Sequence, residues 1–228
     1  MDLNSDFSQR VVVHTDQIDW AASPMRGVDR RMLDRIGDEV ARATTIVRYA
    51  PDSHFSAHTH TGGEEFIVLE GVFQDEHGDF PVGTYVRNPP TSSHTPGSKD
   101  GCTIFVKLWQ FDMDDRTAVT TDMNALDFEP DTDRHGVRSA VLFRDGREEV
   151  RVEAWEAGAS IELDLPDGGE ILVLEGSATE GGDDLEKHDW LRLPMGATLR
   201  ADAGDNGTRV WMKLGHIPYA KKPDFAPD

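Results

Sequence analysis

At 228 residues with 37% hydrophobic side chains, the chain is long enough to bury one large core or two small ones. Its formal charge of −20 argues against nucleic acid or an anionic membrane as partner, since both are met by clustered Lys and Arg, and it suits a soluble protein that meets cations. A single cysteine, Cys102, excludes an intrachain disulfide and a Cys-rich zinc module; the opening MDLNSDFSQR lacks the basic and apolar regions of a secretory signal, no apolar run approaches the ~20 residues that span a bilayer, and a cytoplasmic location is expected.

In chain order, short apolar runs between Gly, Pro, Asp and Asn turn signals predict strands at 10–14, 44–49, 65–70, 84–88, 102–110, 139–143, 150–156, 170–175, 189–193 and 209–214. The segment 30–43 has helix-tolerant composition, interrupted at Gly37. Many short strands with regular turns indicate an all-β sandwich or barrel. The stretch from Asp112 to Asp133 is acidic and weakly patterned, with Pro130 inside it. It predicts a linker at 116–136 between two domains, 1–115 and 137–228.

The two halves repeat. EFIVLEG, ending at Gly71, recurs as EILVLEG, ending at Gly176, and Arg87-Asn88-Pro89 recurs as Arg192-Leu193-Pro194, at a constant offset of 105 residues. In that frame His58, His60, Glu64 and His94 of the first copy become Leu163, Leu165, Gly169 and Leu199 of the second. Residues in both copies, such as Leu-Glu-Gly, Arg87 and Arg192, or Lys107 and Lys213, are expected to serve the fold, and residues in one copy alone to serve function. Near Gly168-Gly169 the alignment has two registers, since Glu170 can stand opposite Glu65 or Glu64. Neither supplies a histidine, so a metal-free second domain is predicted.

His58 and His60, one residue apart, leave the same face of a strand and can converge on one ion. Glu64 follows across Thr61-Gly62-Gly63, where glycine lets the chain reverse, and His94 comes after the Pro89-Pro90 corner. Three imidazoles and a carboxylate suit one divalent transition ion, zinc or iron foremost, with manganese, nickel and cobalt also compatible, and suit calcium poorly. The other six histidines have no partner at metal-ligand spacing, although His54, just before the motif, could line its mouth. Glu65 is expected to face away from Glu64, as a surface group or as a support to the ligands. Phe66, Phe105 and Tyr85 are candidates for the wall of a substrate pocket.

These residues resemble the cupin superfamily. His58, His60, Glu64 and Gly71 meet its first motif, and Gly83, Pro89 and His94 its second; Asp52, Thr91 and Ser98 depart from it at turn or packing positions. The stretch HTHTGGEEFIVLEGVFQDEHGDFPVGTYVRNPPTSSHTP is similar to the cupin domain of ChrR-type anti-sigma factors. The resemblance implies two tandem double-stranded β-helix jelly-roll barrels, the second degenerate, with His58, His60, Glu64 and His94 as metal ligands. It does not imply sigma-factor binding, because the helical zinc module that such proteins use is not seen before residue 44. The expected role is binding, sensing or oxidising a small molecule at the first barrel; the alternative is a dioxygenase acting on a small ketone or diketone. A homodimer is expected from the edges of the barrels.

Overall fold

The computed structural model describes residues 1–38 and 40–223; Glu39, in the expected 30–43 segment, and residues 224–228, the end of the expected second domain, lie outside the described residues. The first strands are β1 (Val11–Val13), β2 (Ala21–Ala22), β3 (Val28–Gly37), β4 (Ala41–Tyr49), β5 (Ser53–His54), β6 (His58–Thr59) and β7 (Glu64–Asp75). There follow β8 (Gly78–Pro81), β9 (Thr84–Asn88), β10 (Ser93–His94), β11 (Gly97–Ser98), β12 (Cys102–Leu108), β13 (Val119–Asp122) and β14 (Glu129–Pro130). The chain ends with β15 (Val137–Arg144), β16 (Glu149–Trp155), β17 (Ser160–Leu165), β18 (Gly169–Glu180), β19 (Asp183–Leu185), β20 (Trp190–Leu193) and β21 (Ala197–Leu214). Among the described residues the only helical segments are three single turns of 3₁₀-helix, and no helix is long and apolar enough to cross a membrane.

The expected helix-tolerant segment 30–43 is a correction. Residues 30–37 lie in β3 and 41–43 in β4, and these strands pair antiparallel with a bulge between Met32 and Asp34. The charges that obscured strand alternation are buried together: Asp34 and Arg42 approach to 3.5 Å. Leu33, the extra residue of the bulge, is fully buried.

The chain forms two compact units whose boundaries differ from those expected. The first holds Met1–Ser5, Asp19–Asn124 and the described residues from Lys221; the second holds Asp6–Ile18 and Ala125–Ala220. The expected domain 1–115 therefore loses its early segment. There, β1 pairs antiparallel with β20, Val11 opposite Arg192 and Val13 opposite Trp190. Arg10 holds Glu180 and Asp183, each at 2.7 Å, and the Arg192 guanidinium lies 3.9 Å over the Phe7 ring. The expected linker 116–136 also begins too early, because β13 pairs with β9 and extends the first unit to Asn124.

In the first unit the main sheet runs β13-β9-β7-β12-β4-β3-β2, with β5, β8 and β11 attached and a separate β6–β10 ribbon. Alternation along β7 sends Glu64, Phe66 and Val68 to one face and Glu65, Ile67 and Leu69 to the other. The first face meets Val86 of β9, Ile104 and Val106 of β12, Val47 of β4 and Phe73 in one apolar cluster. In the second unit the order is β1-β20-β18-β21-β16-β15-β14, with β17 on β21 and β19 on β18. Its interior is packed with Trp155, Ile161, Leu165, Val173, Leu199 and Val210.

Pairing shows that the sequence repeat is a structural one. His58 stands opposite His94 across β6–β10, and Leu163 stands opposite Leu199 across β17–β21. Glu65 pairs with Arg87 and Lys107, and Glu170 pairs with Arg192 and Lys213. Glu170 is thus the counterpart of Glu65, and Gly169 that of Glu64. The repeated Leu-Glu-Gly needs its glycine: Gly71 and Gly176 have φ of +70° and +72°, and a Cβ on either would overlap the carbonyl oxygen of Gly101 or Gly207.

Candidate metal centre

The fold gathers the four predicted ligands from three strands and the turn before β7. β6 and β10 pair directly, setting His58 and His94 side by side, and the turn Thr61-Gly62-Gly63, with Gly63 at φ +77°, swings Glu64 back beside His60. The nitrogens of His58, His60 and His94 lie within 4.8 Å of one another. Nε2 of His60 is 3.0 Å from Nε2 of His94, and Oε2 of Glu64 is 3.3 Å from the former and 3.7 Å from the latter. His60, Glu64 and His94 are buried, while His58 is exposed and leaves the cluster open on one side.

Surrounding groups orient these donors. Asp75 Oδ2 lies 3.2 Å from Nδ1 of His94, and the Ser56 carbonyl lies 3.2 Å from Nδ1 of His58. A carboxylate and a carbonyl only accept, so each imidazole places its proton on Nδ1 and turns the Nε2 lone pair toward the centre. Asn88 donates to Glu64 Oε2 at 3.4 Å. The site also lies against an aromatic floor, with the Phe73 ring 5.7 Å from that of His94 and 4.7 Å from that of Phe66.

The electrostatics are those of ligands brought together out of water. Burial, then the nearness of His94 and His58, pushes the His60 imidazole down to about 3. His94 is lowered by burial and by His58, against the opposing pull of Asp75. Burial raises the Glu64 carboxyl to about 7; Asp75 adds to this and the Asn88 hydrogen bond opposes it. Neutral imidazoles with converging lone pairs, beside a carboxylate that burial holds back from ionising, form a donor set that a divalent transition ion fits.

Two predicted pocket residues lie elsewhere. Phe105 pairs with Ile67 and Tyr85 also pairs with Ile67, so both belong to the face opposite Glu64 and Phe66. Strand alternation instead puts Ile104 and Val106 beside Phe66. The Tyr85 hydroxyl donates to Glu65 at 2.6 Å, and both residues are buried, so Glu65 is a buried anchor and not a surface group. Trp190 occupies the equivalent place in the second unit and donates to Glu170 at 3.2 Å. Phe66 lies on the face of Glu64, as expected, but as part of the packed cluster.

Asp75 and Asn88 were not among the predicted site residues. Asn88 was within reach of the comparison between copies, because it is replaced by Leu193 in the second. Asp75 was not, since Glu180 stands in its place and keeps the carboxylate, which there binds Arg10.

An all-β chain with a His-rich cluster of this pattern is similar to the cupins. Residues 8–112 match the ChrR cupin-like domain family, and the fold is similar to that of solved cupin structures. No curated protein sequence matches the chain. Among solved structures, a dioxygenase candidate from Nostoc punctiforme is 15% identical with a TM-score of 0.77, the match covering 97% of this chain and 88% of that one. The Escherichia coli pirin in complex with nickel(II) is 12% identical with a TM-score of 0.66, covering 91% and 99%. Salicylate 1,2-dioxygenase from Pseudaminobacter salicylatoxidans is 13% identical with a TM-score of 0.57, covering 77% and 71%. At these identities the likeness is one of fold.

Proposed function

We propose that the first unit holds one divalent transition ion on His58, His60, Glu64 and His94 and uses it to bind and oxidise a small organic molecule. The observation that carries this reading is the approach of buried imidazole nitrogens and a carboxylate oxygen to 3.0–3.7 Å with no cation of the chain between them among the described residues. A bound ion would supply Lewis-acid polarisation of a carbonyl and, if redox-active, activation of dioxygen.

The chain's own residues divide the remaining work. Asp75 keeps the proton on His94 Nδ1, and Glu64, whose carboxyl burial raises to about 7, would have to lose its proton to hold an ion. Phe66, Phe73 and Val68 exclude water beneath the site, and the exposed edge at His58 admits the substrate. The Nostoc and Pseudaminobacter structures support dioxygenase chemistry, here on a small ketone or diketone, and the nickel-bound pirin supports metal occupancy. The match to ChrR cupin-like domains supports a second form of the same reading, in which zinc is held and the ligand is sensed without turnover.

Elemental analysis of the wild type beside His58→Ala/His60→Ala tests the proposal. Near-stoichiometric iron that disappears in the double variant, with oxygen uptake on adding a diketone, supports the oxidative form. Zinc that disappears in the same variant supports the sensing form. Metal retained at wild-type level by the double variant would sink both.

A further inference from the structure

A surface cleft of ≈ 420 Å³ opens beside the metal cluster, lined by Met25, Arg26, His54, Phe55 and His58 among others. Its volume is that of a small-molecule site, and it shares His58 with the proposed metal ligands. We propose that it seats a small organic carboxylate, the acid group on the Arg26 guanidinium and the apolar body against Met25 and Phe55. The inference rests on the metal-site reading and names the chemical class of the molecule that reaches it.

The chain carries 43 acidic and 23 basic residues, and many of its guanidinium groups are held by carboxylates, as Arg10, Arg48, Arg134 and Arg151 illustrate. Arg26 is exposed and, among the described residues, has no ion pair, hydrogen bond or ring contact. It is also the one permanently charged side chain lining this cleft. In a protein of net charge −20 the general field repels anions, so a local anchor decides whether one can settle here. A guanidinium meets a carboxylate through two parallel hydrogen bonds, which also fixes the orientation of the bound acid.

The position of Arg26 is built and not incidental. The turn between β2 and β3 is closed by Ser23 N–H to the Val28 carbonyl at 2.9 Å and Val28 N–H to the Met25 carbonyl at 3.3 Å. Gly27, at φ +81°, passes its carbonyl to Ala50 N–H at 2.9 Å. The backbone at Arg26 is thereby held while its side chain is left free to close on a ligand. Phe55 is fixed by its edge-on contact with Tyr49 at 5.1 Å and by its N–H to the Pro96 carbonyl at 3.0 Å. Met25, 48% exposed, supplies adaptable apolar surface above it. His54 offers a further donor along the same wall.

Titration calorimetry of the full chain with acetate, hexanoate and benzoate, each beside its neutral amide, tests the proposal, with metal content recorded on the same samples. At least one carboxylate is expected to bind about tenfold or more tightly than its amide. Arg26→Gln should weaken that carboxylate by about tenfold or more while metal content and Tm stay at wild type, and Arg26→Lys should recover part of the loss. The proposal is overturned if no carboxylate exceeds its amide, or if Arg26→Gln binds the acid as the wild type does. Failure of the metal reading would show separately, as wild-type protein that takes up no ion whatever its affinity for carboxylates.

Discussion

Nε2 of His60 and Nε2 of His94 stand 3.0 Å apart, with Oε2 of Glu64 between 3.3 and 3.7 Å from both. Two imidazolium ions cannot share that space, and burial disfavours the charged form of either ring. The folded protein then binds fewer protons at His60 than the unfolded chain does from pH 6.5 down to about 3, and His94 shifts in the same direction. Stability must therefore fall as pH drops through that window. Glu64, raised from 4.5 to about 7, has the opposite sign: its contribution is present below pH 4.5 and fades as pH rises toward 7. Two groups against one give a shallow decline between pH 6.5 and 4.5, which steepens below 4.5 where Glu64 no longer offsets it. Urea unfolding of stripped protein across pH 4 to 8 should show this break. The acid limb should flatten in His60→Ala.

The Asp75 carboxylate, 3.2 Å from His94 Nδ1, sets which nitrogen of that ring faces the cluster. Asp75→Asn keeps the shape but can turn an N–H toward the ring and favour the wrong tautomer. Metal affinity should drop by about 10- to 100-fold, as is usual for the loss of a hydrogen-bond partner behind a ligand. Competition with a chromogenic chelator reads this directly, and unchanged affinity would remove Asp75 from the site.

Tyr85 was a pocket candidate and is instead a donor to the buried Glu65, a position that Trp190 and Glu170 repeat in the other unit. Tyr85→Phe should cost about 1–3 kcal/mol, the penalty for leaving a buried acceptor short of a partner. Metal stoichiometry should be that of the wild type, because the pair lies on the face of β7 that Glu64 does not share. Trp190→Phe should likewise destabilise without touching metal content. Metal loss in Tyr85→Phe, with the fold intact by circular dichroism, would contradict this assignment.

What could be read from the sequence followed distance along the chain. His58, His60 and Glu64 lie within one turn and its flanks, and His94 is tied to them by a strand pairing that the second copy repeats with leucines, so the cluster was legible. Phe105 and Tyr85 were misplaced because periodicity shows that a strand has two faces but not which face meets a given neighbour; only the pairing with Ile67 decides it. The boundary near residue 18 was invisible for a related reason. β1 finds its partner β20 almost 180 residues away, and nothing local in Val11–Val13 specifies that choice. In β3 the run of charges read as helix-tolerant, since burial of Asp34 beside Arg42 is a property of the folded pair and not of either residue.

The second unit gives the most direct test of reading function by subtraction. Leu165 occupies the place of His60 and Leu199 that of His94, both buried in a cluster with Ile171, Val173 and Val210. The space enclosed among Leu199, Ile171, Val173 and Val210 admits no water molecule (≈ 0 Å³), so packing fills the position that the proposed ligands take in the first unit. Leu165→Ala should leave a void and cost about 2–5 kcal/mol. Metal content should remain that of the wild type, since the first unit keeps its four proposed ligands. His60→Ala should do the reverse, abolishing metal uptake in the same preparation. Denaturant titration and elemental analysis of the two variants side by side would separate the two roles, and loss of metal from a folded Leu165→Ala protein would show that the second unit does more than pack.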